Sequence, residues 1–152
     1  MKATSGIWLI AILAILLGGM IYILFRESDI AAFHWLSSTR MDEWIREIRS
    51  LEAGSKLGLP SWVIYSLPDG LWAFAYTLII SSLWISKRSR IKWVWLSTIP
   101  LLIFGFEILQ YLKILPGTFC RADLLSGAAG ILAGVLIGLN LQKKRKHEKA
   151  LV

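Results

Sequence analysis

The 152-residue sequence predicts an all-α, polytopic membrane protein: a bundle of four transmembrane helices with an extracytoplasmic amphipathic helix between the first and second. Three observations predict it. The chain is 56% hydrophobic. Its apolar residues are gathered into four long stretches, at about 6–25, 67–85, 93–112 and 122–141. Roughly 20 helical residues span a hydrocarbon core of about 30 Å, and each stretch approaches that length. Finally, two basic clusters fall where a four-span topology places both on one side of the membrane.

The first stretch, 6–25, is longer than the apolar region of a secretory signal, and Phe25-Arg26-Glu27 follows it instead of a small-residue cleavage site. It reads as an uncleaved helix. Residues 26–66 form the one long connection. Within it Thr39 and Asp42 have the spacing of a capping box, and Met41, Trp44, Ile45, Ile48 and Leu51 recur every three or four residues among Asp42, Glu43, Arg46, Glu47 and Arg49. That pattern predicts an amphipathic helix over about 40–53, too short and too charged to span, lying on the outer surface or over the bundle. The second stretch begins at Pro68-Asp69. Proline suits a first helical turn because its missing N–H has no partner there, and the aspartate meets the positive end of the helix dipole.

The charges set the orientation. Lys87, Arg88, Arg90 and Lys92 crowd one short connection, and Lys143, Lys144, Arg145, Lys146 and Lys149 crowd the segment 142–152. Basic residues beside spans mark the cytoplasmic side. Both termini are therefore expected in the cytoplasm, in a cell membrane, with 26–66 and 113–121 outside. A basic tail of this kind is attracted to anionic lipid, and no nucleic-acid partner is expected. Most of the eight tryptophans lie near span ends, as an aromatic belt requires. Cys120 is the only cysteine, and the two histidines, His34 and His147, fall on opposite sides of the membrane. No metal site follows from them, and no nucleotide or dinucleotide fingerprint is present. No cofactor is expected.

Gly130, Gly134 and Gly138 recur every four residues on the fourth span. Such a stripe lets two backbones approach closely. Ala14 and Gly18 on the first span offer a matching small-residue face, so an internal partner is favoured over a homo-oligomer or another membrane partner.

The candidate site is built from acids within or beside apolar spans. A carboxylate in hydrocarbon is costly, and an intramembrane ionisable residue is a functional hypothesis by default. Asp69, Glu107 and Asp123 sit on three different spans, and the topology brings all three to the outer side. Glu107 and Gln110 are three residues apart and share a helix face. Arg121 is the available cationic partner, able to hold a carboxylate by two parallel hydrogen bonds. Three acids against one arginine leave excess negative charge, which favours a cationic ligand or a carboxyl that takes up a proton. Glu107, the deepest acid, is the candidate catalytic residue. Asp69, Gln110, Arg121 and Asp123 are candidate binding residues. A structural network locking the helices together is the competing account.

Over about residues 66–138 these positions resemble the VanZ-like family of small integral membrane proteins. The resemblance rests on Asp69 at the start of a span, Phe74, Glu107 with Gln110, the Pro116-Gly117 turn, Asp123, and Gly130 with Gly134. The chain departs from the family's pattern at Ala73, where a histidine is usual, at Gly127, where an asparagine is frequent, and at Thr118, where an arginine follows Pro-Gly. The family takes its name from glycopeptide (teicoplanin) resistance. The resemblance implies a small helical membrane protein of the cell envelope with its site at the acids. The expected function is to bind, or act on, a lipid-linked or amphipathic molecule near the outer leaflet. The alternatives are a structural or accessory membrane subunit and an oligomeric pore or ion pathway. Against the pathway, the inner halves of the spans lack ionisable residues. Whether a reaction is catalysed stays open.

Overall fold

The computed structural model describes residues 2–25, 58–84, 90–115 and 118–150, together with Glu43 and Glu47. Among the described residues all regular structure is helical. The elements run in chain order: α1 Lys2–Phe25, the short α2 Ser61–Tyr65, α3 Leu67–Trp84, α4 Ile91–Tyr111 and α5 Arg121–Ala150. Most of the expected amphipathic helix at 40–53 lies outside the described residues. Within that segment Glu43 and Glu47 are helical and exposed.

Among the described residues three helices are long and apolar enough to cross a membrane: Gly6–Phe25, Ile91–Tyr111 and Arg121–Leu141. The protein is thus an all-α, multi-pass membrane protein. The fourth long helix, α3, is different. It has 18 residues and carries Pro68, Asp69, Thr77, Ser81 and Ser82, and it is not among the three. Its position explains this composition. It is packed between α1 and α5, and Pro68, Gly70, Ala73, Ala75, Thr77, Leu78 and Ser82 are buried. A helix enclosed by other helices can carry residues that a lipid-facing helix cannot.

Small residues bring the three helices together. A methyl group added at Gly134 would stand 2.9 Å from Thr77 Cβ and 3.0 Å from the Phe74 carbonyl oxygen. One at Gly138 would stand 2.5 Å from Ser81 Cβ, and one at Gly130 would collide with the Gly70 carbonyl. The order of these contacts makes α3 and α5 parallel, Gly70 lying by Ser126 and Gly130 at one end and Ser81 by Gly138 at the other. The surface that these glycines meet is therefore α3, not the small-residue face of α1. That face also packs on α3: an added methyl at Gly18 would stand 2.7 Å from the Trp72 indole nitrogen and 3.3 Å from the Pro68 carbonyl. Ile7, Ala11 and Ala14 of α1 join Ala75 and Leu78 of α3 in the apolar core. The Trp72 indole N–H donates to the Ile15 carbonyl at 3.4 Å, and its ring lies 5.6 Å from that of Tyr22. One enclosed helix thus has a small-residue neighbour on each of two sides, and dispersion across these close approaches holds the assembly where lipid removes any hydrophobic drive between helices.

Helix α4 is attached differently. Its one buried residue is Glu107. Leu101, Leu102, Phe104, Phe106 and Ile108 are exposed on it, as befits a surface offered to lipid chains. Pro100 lies inside it and deprives the Leu96 carbonyl of its helical donor. The Tyr76 hydroxyl of α3 lies 2.6 Å from Thr98 Oγ1 and 3.2 Å from the Trp95 carbonyl. A methyl at Gly127 would stand 2.9 Å from Ile103 Cδ1, so the side chain of Ile103 fills the place left by that glycine.

The end of α4 aims the chain at α5. Lys113 adopts a left-handed φ of 58°. Its N–H donates to the Gln110 carbonyl at 2.9 Å, and the Ile114 N–H donates to the Leu109 carbonyl at 2.9 Å. This is a Schellman closure, with lysine where glycine is usual. The Tyr111 and Phe119 rings meet edge to face at 5.5 Å across the turn.

Candidate functional site

Helices α3 and α5 begin at the same end of the bundle and with the same grammar. The Gly70 N–H donates to the Ser66 carbonyl at 3.3 Å, and the Leu124 N–H to the Cys120 carbonyl at 3.5 Å. Ser66 and Cys120 are therefore the residues that open the two helices, and Asp69 and Asp123 each stand three positions on. An acid at that position commonly reaches back to the N–H of the opening residue. In α5 it does not. The Cys120 N–H donates to Glu107 Oε2 at 2.9 Å, so a carboxylate from α4 takes the donor that Asp123 would have used. Asp123 Oδ1 is left buried without a hydrogen-bond partner, as is the hydroxyl of Ser66.

Between these helix ends lies a cavity of about 940 Å³. Asp69, Glu107, Gln110 and Asp123 all line it. Arg121, the fifth polar residue expected here, is exposed on the first turn of α5 and is not part of the lining. Ser66 also lines the cavity and is only 1% exposed; Glu107 is 7% exposed. Away from Glu107 and Gln110 the α4 wall is apolar, made by Ile99, Leu102, Ile103 and Phe106, and Trp62, Tyr65 and Trp72 close the wall towards α2 and α3. Leu102 and Phe106 are about half exposed on the outer face of α4. The cavity is therefore polar at the two helix starts and apolar where it meets the membrane-facing surface.

Sequence reasoning singled out the acids and missed several of the residues around them. Ser66 carried a signal, the Ser-x-x-Asp spacing of a helix start. Trp62 and Trp72 read as interfacial anchors because their composition signal is the same in either role. The Cys120 N–H carried none, since any residue supplies one. Ala73, a point of departure from the VanZ-like pattern, is fully buried and lines the cavity. Among the described residues no group of three or more His, Cys, Asp and Glu is placed to hold a metal ion.

Fold and site together define a multi-pass helical membrane protein with an acid-lined cavity at one end of its bundle. Its sequence is similar to a polyprenyl-phosphate transporter of Vibrio cholerae, with 30% identity over 87 residues. The similarity covers 54% of this chain and 28% of that transporter, so the chain spans less than a third of the relative's length. No family model matches the sequence, and no solved structure matches it.

Proposed function

We propose that this is a VanZ-like membrane protein of the cell envelope that binds, or acts on, a lipid-linked or amphipathic molecule in the cavity at the starts of α3 and α5. The observation that carries the reading is the convergence of Asp69, Glu107, Gln110 and Asp123 on one cavity whose other wall is apolar. A polar head and an apolar chain each have a matching surface there. The Vibrio cholerae relative is a polyprenyl-phosphate transporter; a polyprenyl phosphate is a molecule of this class, which supports the reading from a separate direction. On this reading α3 crosses the membrane as a fourth span, both termini are cytoplasmic, and the cavity faces the outer leaflet. The basic clusters at 87–92 and 143–149 support that orientation. Glu107 is the candidate general base if turnover occurs, with Asp69, Gln110 and Asp123 as binding residues and Gly130, Gly134 and Gly138 as the helix-packing stripe; Arg121, expected among the binding residues, stands outside the lining.

Mass spectrometry of lipids extracted from the purified protein tests this. Amphiphile should be present near one per chain, and Leu102→Trp, which places bulk at the exposed mouth, should lower it severalfold without lowering thermal stability. Equal occupancy in the two proteins would overturn the reading.

One observation favours a structural role instead. Glu107 caps α5 through the Cys120 N–H, which suffices to account for a buried carboxylate. If Glu107→Gln alters lipid occupancy only in proportion to protein stability, Glu107 is a structural cap and not a binding residue.

A further inference from the structure

The cavity carries a second piece of information: the sign of charge it accepts. Two helix starts at one cavity would ordinarily make an anion site, because free N–H groups and the positive dipole ends favour a phosphate. Here the protein's own carboxylates already occupy those positions. Asp69 and Asp123 stand in the first turns of α3 and α5, and Glu107 takes the Cys120 N–H. The start of α5 contributes roughly half a positive charge, which falls short of the two carboxylates gathered there, Glu107 and Asp123. Among the described residues the lining contains no lysine or arginine. Among the described residues at the start of α5 the excess is negative, and in a membrane an uncompensated charge is expensive.

Two unpartnered acceptors point the same way. Ser66 is 99% buried, lines the cavity, and its hydroxyl oxygen has no hydrogen-bond partner. Asp123 Oδ1 is likewise buried and unpartnered. Asp123 Oδ1 can only accept, and the Ser66 hydroxyl oxygen can accept as well as donate; an ammonium group brings three donors and no acceptor. The aromatic walls suit the same group, since the faces of Trp62, Tyr65, Trp72 and Phe106 attract a cation.

We infer that the head recognised in this cavity is an ammonium group, carried on an amphiphile whose chain leaves along Leu102 and Phe106 of α4. This rests on the reading that the cavity takes an amphiphile, and adds the chemistry of its head. A phosphate attached to the same molecule lies outside the carboxylates.

Native mass spectrometry of the delipidated full chain, with added phosphatidylethanolamine, phosphatidylglycerol or undecaprenyl phosphate, tests the sign. Phosphatidylethanolamine should be retained at least tenfold better than phosphatidylglycerol. Asp123→Asn, which removes charge from an oxygen that holds no hydrogen bond, should reduce that preference severalfold, and Glu107→Gln with Asp123→Asn should abolish it. Ethanolamine at millimolar concentration separates a lipid head from a free amine: failure to compete means the chain contacts are needed, and competition means the ammonium group alone suffices. Equal retention of the two phospholipids overturns the inference. So does a preference for undecaprenyl phosphate that survives in the double variant, although the cavity would then still be an amphiphile site. Retention of no amphiphile of any charge overturns the cavity reading itself.

Discussion

Helices α3 and α4 are neighbours of similar length, yet they are held by different physics. α3 is enclosed. It meets Gly130, Gly134 and Gly138 of α5 on one side, through approaches that leave no room for a methyl group, and Ala11, Ala14 and Gly18 of α1 on another. α4 is mostly exposed, and its single buried residue is a carboxylate. Its attachments are specific and polar: Tyr76 to Thr98 and Trp95, and Glu107 to the Cys120 N–H. Close packing is spread over many atoms, whereas α4 is fastened by a few hydrogen bonds. The cavity lies along the side of the bundle that is fastened in the second way, which is where a ligand could enter with least disruption of the core.

The largest expected effect breaks the enclosed side. Gly130→Leu drives a side chain into the Gly70 carbonyl. Overpacking typically costs about 1–3 kcal/mol and more where backbone must move, so loss of assembly in detergent is expected. Gly105→Leu on α4, where an added methyl meets nothing within 4 Å, is its control and should leave the thermal midpoint nearly unchanged. Equal thermal midpoints for these two variants would remove the distinction between the helices.

Next comes the carboxylate that fastens α4. Glu107→Ala leaves the Cys120 N–H without its acceptor, at a cost of about 1–3 kcal/mol. Glu107→Gln keeps a carbonyl acceptor and should recover most of the loss. Amide exchange at Leu124, whose N–H opens the α5 ladder, should quicken in Glu107→Ala and not in Glu107→Gln.

A smaller change is expected at Tyr76. Tyr76→Phe removes its hydroxyl from Thr98, and hydrogen bonds between membrane helices average about 0.6 kcal/mol. Denaturant titration should show a loss of that size, and a loss several times larger would mean that this contact also positions the cavity wall.

Arg121→Ala should matter least. The side chain is exposed and outside the cavity lining, and exposed substitutions usually stay within about 0.5 kcal/mol. A double-mutant cycle with Glu107→Gln should be additive; a coupling well above that figure would restore a direct Arg121–Glu107 pair.

Composition and spacing by themselves determined that the chain is helical and membrane-bound, because apolar residues in runs near 20 have no other stable arrangement in lipid. They also located Asp69, Glu107, Gln110 and Asp123, since acids are conspicuous in such runs. They could not determine which helix is enclosed. The polar residues of α3 set it apart from α4 in composition, but only the packed bundle shows that Gly130, Gly134 and Gly138 of α5 face α3 while α4 stands outside. Nor could they foresee how the acids are satisfied. Pairing was expected to run through the guanidinium of Arg121, the one cation in reach along the sequence. The structure gives Glu107 the backbone N–H of Cys120 and leaves Asp123 Oδ1 with nothing. A backbone donor is present at every residue except proline and so carries no mark in the sequence. Which donor a carboxylate meets depends on where two helix ends arrive in space, and that is decided by tertiary packing.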